Sequence, residues 1–141
     1  MGLSLYNSDQ DLFSKSDVMK TTYNGRIGTV TNTKLYIRNN NGAYFFQNIQ
    51  VTPQQYIGGW TVPALAGWTI KLKAGEQQPT EAEWDLIDPN DPVSLSDLGE
   101  TGSADTTTYR PFWVRIYCPP GTPAQVLDQF RLHITYLRRN V

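Results

Sequence analysis

The amino-acid sequence predicts an all-β domain, an antiparallel β-sandwich, and three observations predict it. Runs of alternating apolar and polar residues recur from about residue 26 to the end, turn-forming Gly, Pro, Asn and Asp separate them, and no stretch sustains helical spacing. With 141 residues, 39% hydrophobic and 18% charged, the chain has the length and composition of one globular domain with one core.

The first twenty residues set Leu3, Leu5, Tyr6, Leu12 and Phe13 among polar neighbours. They read either as an arm ordered by a neighbouring subunit or as a first strand, and the lack of strict alternation favours the arm. Residues 21–141 form the sandwich domain. In "KLYIRNNNGAYFFQNIQVTP", Leu35 and Ile37 alternate with Lys34, Tyr36 and Arg38, and Asn40, Asn41 and Gly42 supply residues that tolerate positive φ. Phe45, Ile49 and Val51 then share one face by the period-two rule. The two runs are either a tight hairpin or a bend from one sheet to the other.

"WTIKLKAG" puts Ile70 and Leu72 on one side and Lys71 and Lys73 on a wet second face. Thr80 followed by Glu83 has the form of a capping box, which predicts one or two helical turns around Glu81 to Asp85 before Pro89 and Pro92 end them. "PVSLSDLG" is a short strand with Val93 and Leu95 inward, and "LGETGSADTTT" is a polar, mobile loop. "PFWVRIYC" places Phe112, Val114, Ile116 and Cys118 inward against Trp113, Arg115 and Tyr117. "QFRLHITYLRR" repeats the arrangement on a neighbouring strand, with Phe130, Leu132, Ile134 and Tyr136 inward against Arg131, His133, Thr135 and Leu137. The strands in "GRIGTVTN", "KLYIRN", "FFQNIQV", "TIKLK", "VSL", "FWVRIYC" and "FRLHITYL" are about seven, the number of an immunoglobulin-like sandwich.

Chemistry is sparse. A net charge of −1 offers no broad handle for nucleic acid or anionic lipid, and no window approaches a membrane span or a secretory leader. One cysteine cannot form an internal disulfide, which fits synthesis in a reducing cytosol. Inward parity makes Cys118 a wall thiol, and outward parity keeps His133, the single histidine, away from it. One His and one Cys fall short of a zinc set, and Asp85, Asp88 and Asp91 lack calcium-loop spacing and read as a turn. The residues therefore predict no catalytic group, no metal and no cofactor.

Aromatic residues are the remaining excess, at 12%. Tyr36, Trp113 and Tyr117 on outward parity read three ways: as platforms for sugar rings, as the centre of a protein interface, or as rings covered by the loop "PQQYIGGWTVPALAG" from Pro53 to Gly67. The glycan reading uses Trp113, Tyr117, or Trp60 and Trp68. Arg138 and Arg139 are either a solvated strand end or partners for an acidic surface. Candidate interface residues are thus Leu3, Leu5, Tyr6, Phe13, Trp60, Trp113, Tyr117, Arg138 and Arg139.

The segments "LYIRNNN", "FQNIQVTP", "WTIKLKAGEQQPTEAEW" and "ADTTTYRPFWVRIYCPPGTP", in that order, resemble the small immunoglobulin-like structural proteins of tailed bacteriophage virions over roughly residues 20 to 137. The resemblance implies a non-catalytic subunit of a capsid decoration, neck or collar, tail or baseplate, made in the host cytoplasm and localised to the virion. Its implied partners are other virion proteins and copies of itself, where repetition turns modest contacts into avidity. A carbohydrate-binding module that takes a cell-surface glycan is the alternative.

Overall fold

A computed structural model of the chain describes residues 2–12, 21–23, 29–56, 60–61, 68–119, 125–127 and 130–141. These form strands β1 (Leu3–Tyr6), β2 (Thr21–Tyr23), β3 (Thr29–Asn39), β4 (Tyr44–Tyr56), β5 (Trp60–Thr61), β6 (Thr69–Ala74), β7 (Val93–Leu95), β8 (Arg110–Cys118), β9 (Gln125–Leu127) and β10 (Phe130–Asn140). One helix, α1 (Glu81–Asp85), lies between β6 and β7. Sheet I has the order β1-β3-β8-β6, sheet II runs β10-β4-β5 with β7 also on β4, and every pairing is antiparallel. A small ribbon pairs β2 with β9.

The predicted β-sandwich is present, and its connectivity is particular. After β3 the framework strands change sheets at every step, from β4 in sheet II to β6, β7, β8 and β10 in turn. The immunoglobulin order keeps the first, second, fourth and fifth strands together; here β8, the sixth of the framework series, joins sheet I and β7, the fifth, joins sheet II. The strands expected in "GRIGTVTN" and "KLYIRN" are one strand from residue 29 onward. The stretch expected as a loop from Pro53 is at its start the end of β4, onto which β5 folds back at Gln55 and Tyr56.

The asparagine-rich turn carries the chain between sheets, because β3 pairs within sheet I and β4 within sheet II. Positive φ is not what the asparagines supply: Asn39, Asn40, Asn41 and Gly42 all keep ordinary backbone angles. Their side chains supply hydrogen bonds instead. Buried Asn39 donates from Nδ2 to the Tyr44 carbonyl (2.9 Å) and accepts from the Asn41 N–H (2.8 Å), and Asn41 accepts from the Ala43 N–H (2.9 Å). Asn39 is buried where the chain leaves its sheet, so these side chains satisfy donors and acceptors that a sheet ladder would otherwise take.

The core lies between the sheets. Leu35, Ile37, Ile70, Leu72, Phe112, Val114, Ile116 and Cys118 come from sheet I, and Phe46, Ile49, Val51, Leu95 and Leu132 from sheet II. The inward sets expected on β6, β7 and β8 are all in place, and on β10 Leu132 is buried while Ile134 and Tyr136 pack against the core. β4 departs from the period-two expectation. Thr135 pairs with Gln50 and Leu137 with Gln47, so Tyr136 alone faces two residues, Asn48 and Ile49, and Asn48 takes φ 52°. This bulge shifts parity by one. Phe46, not Phe45, therefore joins Ile49 and Val51 inside, and Phe45 is buried on the opposite face.

Two further expectations are corrected. Leu3–Tyr6 is a strand, not an arm: Leu3 is buried in the core and Leu5 packs against it, while Tyr6 turns to the other face. The polar stretch before Tyr109, expected as a mobile loop, is tied down by hydrogen bonds. Leu98 exchanges two backbone hydrogen bonds with Phe46 (2.9 and 3.0 Å), Glu100 and Ser103 close a tight turn, and Asp105 accepts from the N–H groups of Thr107 and Thr108 (both 3.1 Å). Hydrogen bonds from Thr108 and Thr107 hold the Asp105 carboxyl below its ordinary pKa.

Candidate interaction surface

The outward residues of sheet I stand in rows fixed by the register. Lys34, Trp113 and Lys73 form one row, and Asn32, Arg115 and Lys71 the next. The segment that follows β6 covers both. The Glu76 carboxylate pairs with the Lys34 ammonium, raising the lysine pKa, and the Glu76 carbonyl accepts from Trp113 Nε1 (3.3 Å). α1 then lies over the second row. Its capping box is the predicted one, with the Glu83 N–H donating to Thr80 Oγ1 (3.2 Å) and the Thr80 N–H to Glu83 Oε1 (3.0 Å).

Trp84 is the keystone of that cover. Only 1% of its surface is exposed, the Arg115 guanidinium stacks on its ring at 5.6 Å, and Lys71 Nζ donates to its carbonyl (3.0 Å). Arg115 also pairs with Glu81 at 2.8 Å, which lowers the Glu81 pKa. The face expected to be wet is thus roofed, because lysine and arginine stems carry apolar surface that an indole can cover. Further along, Tyr109 meets Tyr6 and Tyr36 edge-on, with centroids 5.4 and 5.7 Å apart, and Arg38 stacks on Tyr109 at 4.9 Å.

Sheet II finishes differently. Its outward rows are Arg131 with Gln54, His133 with Thr52, Thr135 with Gln50 and Ser94, Leu137 with Gln47, and Arg139 with Phe45. Gln50, Ser94, Thr135, Leu137 and Arg139 are exposed, and a shallow concavity of about 530 Å³ opens among Asn48, Gln50, Asp97 and Thr135. A second, of about 540 Å³, lies at the end of the sheet between Phe45, Thr101, Arg138 and Arg139. Arg138 stacks on Tyr44 at 4.4 Å, and Arg139 Nε donates to Gln47 Oε1 (2.8 Å).

The candidate residues therefore separate. Leu3, Leu5 and Tyr6 are used inside this chain, Trp113 sits half-buried under Glu76, and Tyr117 is half-buried beside Val30 on sheet I. Arg138 and Arg139 come together, exposed, at the end of β10. Trp60 lies in β5, and its side chain, like all of Phe13, falls outside the described residues. Every aromatic side chain that is described is buried or half-buried. Sequence reasoning missed the open face of Thr, Gln and Ser on sheet II, because polar alternation carries no sign of whether another segment will lie upon it.

Cys118 is fully buried on sheet I, whereas His133 faces outward on sheet II, so the two strands expected to be neighbours lie in different sheets and no thiol–imidazole pair is assembled. Among the described residues no group of three or more His, Cys, Asp and Glu is placed to hold a metal ion, and no helix is long and apolar enough to cross a membrane. Asp88 and Asp91 close a turn through their backbones, with Asn90 at φ 68°. No family model matches the chain, no curated protein matches its sequence, and no solved structure matches its fold.

Proposed function

We propose that this protein is a non-enzymatic structural subunit that works by protein–protein contact, in a tailed-phage particle as a decoration, neck, collar, tail or baseplate component. The observation that supports assembly is the finish of sheet II: an outer face on which Gln50, Ser94, Thr135 and Leu137 are exposed, bordered by β10, a strand of 11 residues that among the described residues pairs only with β4. A surface of this kind is a ready template for another chain. The placement in a virion draws on the resemblance in segment order alone. The glycan reading draws less support, since the described aromatics offer covered rings where a sugar needs a bare one.

Mass spectrometry of density-purified particles tests the proposal, quantifying this chain against the major capsid protein. A fixed stoichiometric ratio is expected. Absence from clean particles overturns the virion role, and binding of the isolated protein to a glycan array would then put the carbohydrate reading first.

A further inference from the structure

From the outer edge of β10, unpaired among the described residues, and the charge at its end, we infer that this edge docks an extended acidic segment of a partner protein, which adds to sheet II as a further antiparallel or parallel strand. The inference deepens the assembly reading and rests on it only in that the chain acts by contact.

Three observations point to this occupant. β10 runs through Phe130–Asn140 without Pro or Gly, and the bulge at Asn48 belongs to β4, so no backbone interruption breaks the outer edge of β10. The other borders are short or occupied. β1 has four residues and Tyr6 bridges to Leu12, while the Asn90 N–H donates to the Ile70 carbonyl (2.7 Å) at β6. A long edge that is unpaired among the described residues leaves a row of backbone donors and acceptors for a partner to satisfy.

The second observation is charge. Residues 130–141 hold three arginines and no carboxylate, in a chain whose net charge is −1. The pair Arg138 and Arg139 has no carboxylate within ion-pair distance among the described residues and borders an open concavity with Phe45. The third concerns a second copy. Two β10 strands related by a twofold axis overlap most with Thr135 at the axis, which sets Arg131 opposite Arg139, and like charges directly opposite destabilise a strand pair. Acidic side chains of an added strand meet Arg138 and Arg139 instead, which no described carboxylate pairs.

The test uses the full chain and fluorescent peptides as long as β10, with Glu at alternate positions and Val, Thr or Tyr between, beside matched peptides with Lys for Glu. Anisotropy is expected to show binding of the Glu peptides that weakens with salt and falls by about tenfold or more in Arg138→Glu/Arg139→Glu. Hydrogen–deuterium exchange should show alternate β10 amides open in the free protein and protected in the complex. Peptides N-methylated along one edge should fail, and those methylated along the other should bind.

Equal binding of Lys peptides, binding indifferent to the two arginines, or no binding by any Glu peptide overturns the inference. So does protection of all β10 amides in the free monomer, which would mean the chain covers its own edge, or protection that appears only as the protein dimerises, which would make the occupant a second copy. These outcomes are separate from particle composition: a virion component that ignores acidic peptides assembles through another surface, and a peptide binder absent from particles loses only its virion role.

Discussion

Lys71 and Arg115 stand side by side in the middle of the outer face of sheet I, beneath Trp84; Gln50 and Thr135 hold the corresponding central places on sheet II and meet solvent. Both faces come from the same alternation of inward apolar and outward polar residues. The difference is the connection. Between β6 and β7 the chain makes an α-helical detour across sheet I, and the outward side chains there are long cations whose stems give Trp84 and Glu76 something to bind. On sheet II the outward side chains are mostly Thr, Gln and Ser, which offer hydrogen bonds but little apolar area. Among the described residues the middle of one outer face is thus covered within the molecule, and the middle of the other is exposed.

The largest expected effect comes from removing the roof. Trp84→Ala deletes a fully covered indole and should destabilise the domain by about 3–5 kcal/mol, read as a fall in the urea midpoint. Arg115 and Lys71 would then lose their cover and exchange faster with solvent. Thr135→Lys at the equivalent place on sheet II should stay within about 0.5 kcal/mol, because nothing described lies over it. Equal losses from the two substitutions would mean that sheet II is also covered, and the contrast between the faces would fail.

A smaller loss is expected where the two faces meet at the end of the sandwich. Gly99 has φ +97°, and a Cβ there would stand 2.6 Å from the Ser103 carbonyl oxygen and 2.8 Å from Phe45 Cβ. Gly99→Ala therefore forces backbone to move and should cost about 1–3 kcal/mol in thermal or urea unfolding. The cap from Leu98 to Asp105 should loosen first, uncovering Phe45 beside Arg139. Unchanged exchange of the Phe46 and Leu98 amides in the variant would show that the cap does not depend on this close approach.

Much of this architecture was legible. The alternation of β8 and β10, the capping box of α1 and the burial of Cys118 are local or period-two signals, and such signals survive folding intact. What failed depends on partners distant in sequence. A single extra residue at Asn48 exchanges Phe45 for Phe46, and no period-two count anticipates it. The asparagines at the end of β3 and just after it signalled a turn correctly but for the wrong reason, since Asn39 works by bonding Tyr44 and Asn41 across a crossing between sheets. Leu3 and Leu5 looked too sparse for a strand because β3, which aligns them, lies more than thirty residues away. The same limit hid the candidate site. Arg138 and Arg139 were visible, yet whether β10 lies at an edge depends on where β4, β5 and β7 settle.

The smallest effect sharpens the contrast by acid. Glu81 is held below its ordinary pKa by its hydrogen bond with Arg115, and Glu83 below its own chiefly by the Thr80 backbone N–H; both belong to the roof of sheet I. Lowered folded pKa values mean that these carboxylates stabilise the fold above the unfolded value, 4.5 for Glu, and that the contribution is lost as pH falls through the folded values. Urea midpoints should therefore be flat from neutrality to about pH 5 and decline below it. Glu81→Gln should lower the midpoint slightly at neutral pH and make the acid decline shallower, because a group that no longer titrates cannot lose a proton-linked contact. The Glu81 carboxylate is exposed, so the shift should be smaller than that of Gly99→Ala and should shrink in high salt. Exchange at low pH should then open the Arg115 and Lys71 amides of sheet I before the β4–β10 ladder, whose outward rows pair no carboxylate with an arginine. A Glu81→Gln curve parallel to that of the unmodified chain would assign the roof to Trp84 alone, with its ion pair contributing nothing.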